Sequence, residues 1–258
     1  MNALEGAGFI ALGLVAGTYG SLVGVGGGLL IVPILLMSHV APKDAAGTSM
    51  VVVLANAASG SVSYLRQRRV DIRSAIVFAI AGLPGALLGG LVDQYVPRKL
   101  FSLLFGTFLL FVGVRLFLKP GQDVGGAAAV VNSRNTAGFQ PVLAAAIGLV
   151  AGFLASMFGI GGGLIFVPSM AYLFAFPAHI ATATSTFIIA LTAIFGTASH
   201  AYYHDVLWGP AIALAIGAVA GAQIGARIAP RVPVLQLMRL FSLAVLFAAL
   251  WLLYKALV

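Results

Sequence analysis

Long stretches without a charged residue divide the chain, covering residues 6–38, 45–65, 74–92, 100–114, 135–178, 180–199 and 206–226. Most of them reach the roughly 20 apolar residues that a membrane-spanning helix needs. Two, 6–38 and 135–178, are long enough for a pair of helices, and each is interrupted by a triple glycine: Gly24-Val25-Gly26-Gly27-Gly28 followed by Pro33, and Gly159-Ile160-Gly161-Gly162-Gly163 followed by Pro168. Glycine is a poor helix former, so the pattern predicts a helix broken at each motif. Backbone freed at that depth must be covered by protein or line a cavity, because lipid offers no hydrogen bonds. The predicted helices are 6–22, 28–38, 44–65, 73–92 and 98–118, then 139–157, 163–176, 179–203, 208–228 and 233–256. Pro33 and Pro168 fall near the first turn of the half-helix after the glycines, where proline is tolerated.

Composition narrows the class. With 61% hydrophobic and 8% charged residues among 258 and a mean hydropathy of +1.10, the chain is an integral membrane protein, since soluble domains carry about three times that charged fraction. The net charge of +8 does not indicate nucleic acid here. The Arg and Lys residues lie in short loops between apolar runs, as the positive-inside bias requires. Residues 1–20 carry no basic cluster, and the segment recurs later, so it reads as structure and not as a cleaved signal. Cysteine is absent, which excludes disulfides, thiolate metal sites and cysteine relays.

The chain repeats itself. Leu12-Gly13-Leu14-Val15-Ala16-Gly17 returns as Ile147-Gly148-Leu149-Val150-Ala151-Gly152, and the offset of 135 holds through the glycine motifs. It then becomes 136, aligning Thr48-Ser49 with Thr184-Ser185, Ser63 with Ser199, Gly85 and Gly89 with Gly221 and Gly225, and Val96-Pro97 with Val232-Pro233. A match along the half-chain predicts a duplicated bundle, residues 1–119 and 139–258, joined by a linker at 120–138. If each glycine-broken pair crosses twice, a repeat has five crossings and the copies are inverted. Arg66, Arg68, Arg69, Arg73, Arg115, Lys119, Arg134, Arg227, Arg231 and Arg239 then lie inside, and Lys43, Arg98, Lys99 and Lys255 outside. With four crossings the copies are parallel and the same charges divide 8 to 6 instead of 10 to 4. The charge bias favours the inverted plan, with both termini outside. The expected fold is therefore an all-α polytopic membrane protein of two homologous, inverted repeats of about five helical segments, each with glycine-broken helices at its first segment pair.

All six acidic residues, Glu5, Asp44, Asp71, Asp93, Asp123 and Asp205, fall at predicted loops or helix ends. This argues against a cation coupled through a carboxylate at the midplane. The deep polar groups are neutral. Half-helix N-termini present unpaired N–H groups and partial positive charge, and glycine lets an oxyanion approach them closely. Gly24, Gly26, Gly27, Gly28, Gly159, Gly161, Gly162 and Gly163 are accordingly candidate substrate-binding residues, with close helix packing as the other reading. Thr48, Ser49, Thr184 and Ser185 have hydroxyls to complete an anion cage, although Ser and Thr also bond to their own helices. Asn56, with Thr192 at the equivalent position, is a further candidate. Gly85, Gly89, Gly221 and Gly225 read as packing positions. His200 and His204, one helical turn apart, read as an interfacial cluster with Tyr202, Tyr203 and Trp208, with a metal or proton site as the lesser reading. No phosphate-binding Gly-x-x-x-x-Gly-Lys-Ser/Thr occurs, and nothing calls for a catalytic residue, metal or cofactor.

The duplicated Gly-x-Gly-Gly-Gly-(x)4-Pro, with Ala46-Gly47-Thr48-Ser49, Ala183-Thr184-Ser185 and the helix ending Gly225-Ala226-Arg227, resembles the TauE/SafE sulfite exporter family, also called the 4-toluene sulfonate uptake permeases. The resemblance implies a multi-pass permease of the bacterial inner membrane that moves sulfite or organosulfonates, with the glycine motifs and Thr-Ser pairs as its substrate region. Ala183 stands where the first copy has Gly47, so the two halves of that region are not identical. The competing expectation is a membrane-embedded enzyme acting on a lipid or polyprenyl substrate, for which only His200, His204 and Asp205 approximate a catalytic set.

Overall fold

The computed structural model describes residues 3–118, 140–229 and 234–257; the expected linker at 120–138 lies outside them. Ten helices and no strand occur among the described residues: α1 (Ala3–Val23), α2 (Gly28–Met37), α3 (Pro42–Arg66), α4 (Ile72–Asp93), α5 (Arg98–Leu118), α6 (Pro141–Phe158), α7 (Gly163–Leu173), α8 (Ala178–Tyr202), α9 (Trp208–Ile228) and α10 (Val234–Leu257). Six of these are long and apolar enough to cross a membrane: α1, α3, α4, α6, α8 and α9. The helices α2 and α7 have 10 and 11 residues, about 15 Å of rise, or half a hydrocarbon core.

Local chemistry explains the boundaries. Pro42 and Pro141 open α3 and α6, where the missing N–H costs no helical bond. Asp71 caps α4 by accepting from Ser74 N–H at 3.2 Å. The helix expected over 163–176 ends earlier, at Leu173, because Ala175 is left-handed at φ 52° and Phe176 N–H turns back to Met170 O at 3.0 Å.

Glycines set the helix pairing. Built onto Gly217, Gly221 or Gly225 of α9, a Cβ would meet the α1 backbone at Ile10, Leu14 or Thr18 respectively. On Gly85 or Gly89 of α4 it would meet Leu149 O or Phe153 O of α6. Residue numbers rise together in both pairs, so α1 runs parallel to α9, and α4 to α6. Ser59 donates to Val219 O at 2.9 Å and Ser63 to Gln223 at 2.6 Å, which ties α3 parallel to α9. Gly113 lies against Leu246 and Gly106 against Leu253, so α5 and α10 are antiparallel. At the centre α3 and α8 cross antiparallel, with Gly60 beside Thr186 and Gly196 beside Met50. Around this pair the core holds Phe78, Phe166, Ile188 and Met50 on one side and Phe101, Phe105, Phe158 and Ile31 on the other.

Candidate functional site

Both glycine motifs are short, fully buried loops. Gly24, Gly26 and Gly27 have φ of 81°, 87° and 82°, and Gly159, Gly161 and Gly162 have 68°, 86° and 75°. Only glycine occupies that left-handed region without strain. Gly27 and Gly162 are the N-caps of α2 and α7 and give no side-chain cap. The N–H groups of Gly28 and Leu29, and of Gly163 and Leu164, therefore have no partner within their own helix, the next ones donating to the Gly27 and Gly162 carbonyls.

The loops abut. A Cβ on Gly28 would strike Gly159 O and come within 2.9 Å of Ser49 Oγ, and one on Gly163 would strike Gly24 O. Ser49 Oγ donates to Gly159 O at 2.7 Å. Its counterpart Ser185 donates to Gly24 O at 2.9 Å. Each loop carbonyl is thus satisfied by a serine from the other half of the chain. Val53 and Ile189 press on Gly26 and Gly161 between them.

Other expected site residues do not join this centre. Thr48 Oγ1 accepts from Leu207 N at 3.0 Å and Thr184 Oγ1 from Asp71 N at 3.0 Å. The two threonines brace surface loops at opposite ends of the bundle. Asn56 Oδ1 accepts from Ser21 Oγ at 3.2 Å, whereas its Nδ2 is buried without a hydrogen bond. Thr192 turns back to Ile188 O of its own helix at 3.1 Å, so Asn56 and Thr192 share no site in this conformation.

A cavity of about 350 Å³ reaches this centre from one side, running past Val25 to Gly163 between α1, α5 and α7. Its walls are apolar apart from Arg115, Ser169 and Tyr172. The Arg115 guanidinium lies over the Tyr172 ring, 5.5 Å from its centroid. The cavity was not legible from the sequence, where Arg115 reads only as a loop charge.

A second polar group lies inside the protein. His200 is not at an interface with His204: it is fully buried, while His204 is exposed and lies past the helix end with φ 62°. His200 Nε2 bonds Ser156 O at 3.0 Å, and Nδ1 stands 3.7 Å from Asp205 Oδ2. Asp205 also takes Gln94 Nε2 and pairs with Lys43 at 3.3 Å. Burial raises the Asp205 carboxyl, and its polar contacts with His200, Gln94 and Lys43 outweigh that and hold it below the usual carboxylate range. Asp93, at the end of α4, is also buried. The described carboxylates do sit at helix ends or loops, but two of them, Asp93 and Asp205, are inside the protein. No cluster of three or more metal-type side chains occurs among the described residues.

Ten helices among the described residues, six of span length, make this a multi-pass membrane protein, and its family and relatives place it in the transporter class. The chain belongs to the family described as "Sulfite exporter TauE/SafE", whose pattern it matches over residues 9–252. It is 35% identical over 263 residues to "Probable membrane transporter protein YunE" of Bacillus subtilis (strain 168), covering 95% of this chain and 96% of that relative. A "Probable membrane transporter protein" of Xylella fastidiosa (strain 9a5c) is 29% identical over 248 residues, 95% of this chain and 93% of the relative. No solved structure matches. The family and these relatives are transporters and not enzymes, which overturns the expectation of a lipid-directed enzyme.

Proposed function

We propose that the protein is a secondary permease of the bacterial inner membrane that moves a small sulfur-containing anion, sulfite or an organosulfonate, by alternating access. On this reading residues 1–119 and 139–258 are inverted repeats, 120–138 is their linker, and the glycine loops are the substrate region. The observation that carries it is the crossed pair of bonds, Ser49 to Gly159 O and Ser185 to Gly24 O. These bonds hold two half-helix N-termini at one buried point, where partial positive charge from both favours an anion. The helix directions support inversion: α1 and α3 run with α9, whereas α4 and α6 run against them. Membership of the sulfite exporter family supports the sulfur oxyanion.

The conformation is closed, because each loop fills the space before the opposing N-terminus. Binding requires the halves to part, which releases Ser49 and Ser185 to face the anion, while the cavity beside Arg115 leads cargo to Gly163. Export needs no coupling ion on energetic grounds. A membrane potential, negative inside, contributes about 2.3 kcal/mol per charge per 100 mV to an outgoing anion.

The test is radiolabelled sulfite flux from proteoliposomes under a clamped potassium-diffusion potential, competed with sulfate, thiosulfate, sulfoacetate and taurine. Saturable, potential-driven flux is expected. Gly26→Leu and Gly161→Leu should abolish it in folded protein, because each replaces a left-handed glycine whose Cβ would lie 3.2 Å or less from Val53 Cγ1. Unchanged flux in both variants would remove the site assignment.

A further inference from the structure

The buried group around His200 has a counterpart in the first half of the chain, and the difference between them is chemical. Tyr64 OH donates to Ser21 O at 2.6 Å; His200 Nε2 bonds Ser156 O at 3.0 Å. Ser21 and Ser156 each lie three residues before the first glycine of a motif, Gly24 and Gly159. Ser156 O also accepts from Gly159 N–H at 3.2 Å, so His200 shares an acceptor with the loop itself. The same brace is a phenol in one half and an imidazole in the other.

Since the Ser156 carbonyl can only accept, Nε2 carries a proton and Nδ1 is the position left to titrate. Nδ1 is buried without a hydrogen bond, as are Ser156 Oγ and Asp93 Oδ2, whereas Asp205 Oδ1 pairs with Lys43. Asp205 beyond α8 and Asp93 at the end of α4 are the charges acting on the imidazole, and Lys43 and Asp44 of α3 with Gln94 surround those two carboxylates. Lys43 is half exposed, giving the cluster a path to water.

We propose that His200, with Asp205 and Asp93 as its counter-charges, is a proton-binding site that releases the second glycine loop. A proton from bulk water bonds to the Nδ1 lone pair, and the resulting imidazolium draws toward Asp205 Oδ2. At 3.7 Å that contact is beyond hydrogen-bond length, so closing it pulls Nε2 away from Ser156 O and loosens the last turn of α6 before Gly159. Tyr64 undergoes no such change near neutral pH, so only one of the two loops is proton-sensitive. The consequence for transport rests on the reading above, in which that loop is part of the substrate site. The proton site itself does not depend on the cargo.

The experiment needs no substrate. Imidazole 15N resonances of the full protein in detergent, assigned with His200→Tyr, are followed between about pH 5 and 8. In parallel, Ile160→Cys and Val25→Cys, at equivalent positions in the two loops of this cysteine-free chain, are labelled with a maleimide at each pH. Their ratio removes the thiol's own pH dependence. The expected result is a second proton on His200 and an Ile160→Cys to Val25→Cys labelling ratio that rises on acidification by about fivefold or more, the lower end of ordinary coupling between sites. His200→Tyr, which keeps the brace without the titration, should flatten the ratio, and Asp205→Asn should shift protonation to lower pH. A His200 ring that keeps a single proton throughout overturns the proposal, as does a ring that titrates while the ratio stays flat. Should His200→Tyr fail to fold, Asp205→Asn and the two labelled proteins carry the test. Sulfite flux that fails while the ring titrates and the ratio rises would count against the cargo alone.

Discussion

Single methyl groups separate the two roles of glycine in this chain. Gly28→Ala and Gly163→Ala should each destabilise the protein by about 1–3 kcal/mol, the ordinary cost of overpacking, because the new Cβ meets the opposing loop's carbonyl. Gly209→Ala, with nothing within 4 Å, should be neutral or stabilising by up to about 1 kcal/mol. Thermal unfolding in detergent distinguishes them. The glycines were legible in the sequence because their demand is local: backbone conformation is written in the residues that adopt it. Hydroxyl roles were only half legible. Thr48 and Ser49, like Thr184 and Ser185, are adjacent, and adjacent helical residues point about 100° apart, so one member of each pair reaches the glycine loop and the other a surface loop. His200 was misread for a related reason. Spacing made it a partner of His204, but the helix ends at Tyr202 and its last turn points His200 inward.

At the scale of helices, uncharged runs and prolines marked nearly every element, since apolar length and a missing N–H act within one segment. The early end of α7 was not legible because it depends on a left-handed Ala175, a residue type with no preference for that conformation. Pairing is a tertiary property: glycines spaced by four marked α4 and α9 as packing faces, and only the structure shows that their partners are α6 and α1. Gly85→Leu or Gly221→Leu should force those backbones apart and cost more than the single-methyl changes at Gly28 and Gly163. The expected outcome is a sharp fall in the yield of folded protein on size exclusion, with Leu88→Ala, on an exposed face of α4, as the tolerated control.

For the whole molecule, the helix directions gather Arg66, Arg68, Arg69, Arg73, Arg115 and Arg227 at one end and Lys43, Arg98, Lys99 and Lys255 at the other. An impermeant maleimide should therefore label Arg68→Cys and Arg227→Cys from the same side of the membrane and Lys99→Cys from the other; Arg68→Cys and Arg227→Cys labelled from opposite sides would rule out the inverted plan. What a single sequence could not show is which groups meet across the two halves, because the bonds from Ser49 to Gly159 and from Ser185 to Gly24 join positions 110 and 161 residues apart. Those crossed bonds carry an implication about ancestry. On the inverted-repeat reading, a half-length forerunner leaves its loop carbonyl without a donor unless two copies sit head-up and head-down in one bilayer. On the same reading, fusing the copies lets each change without its twin, and Tyr64 in one half with His200 at the equivalent position of the other is a difference of that kind.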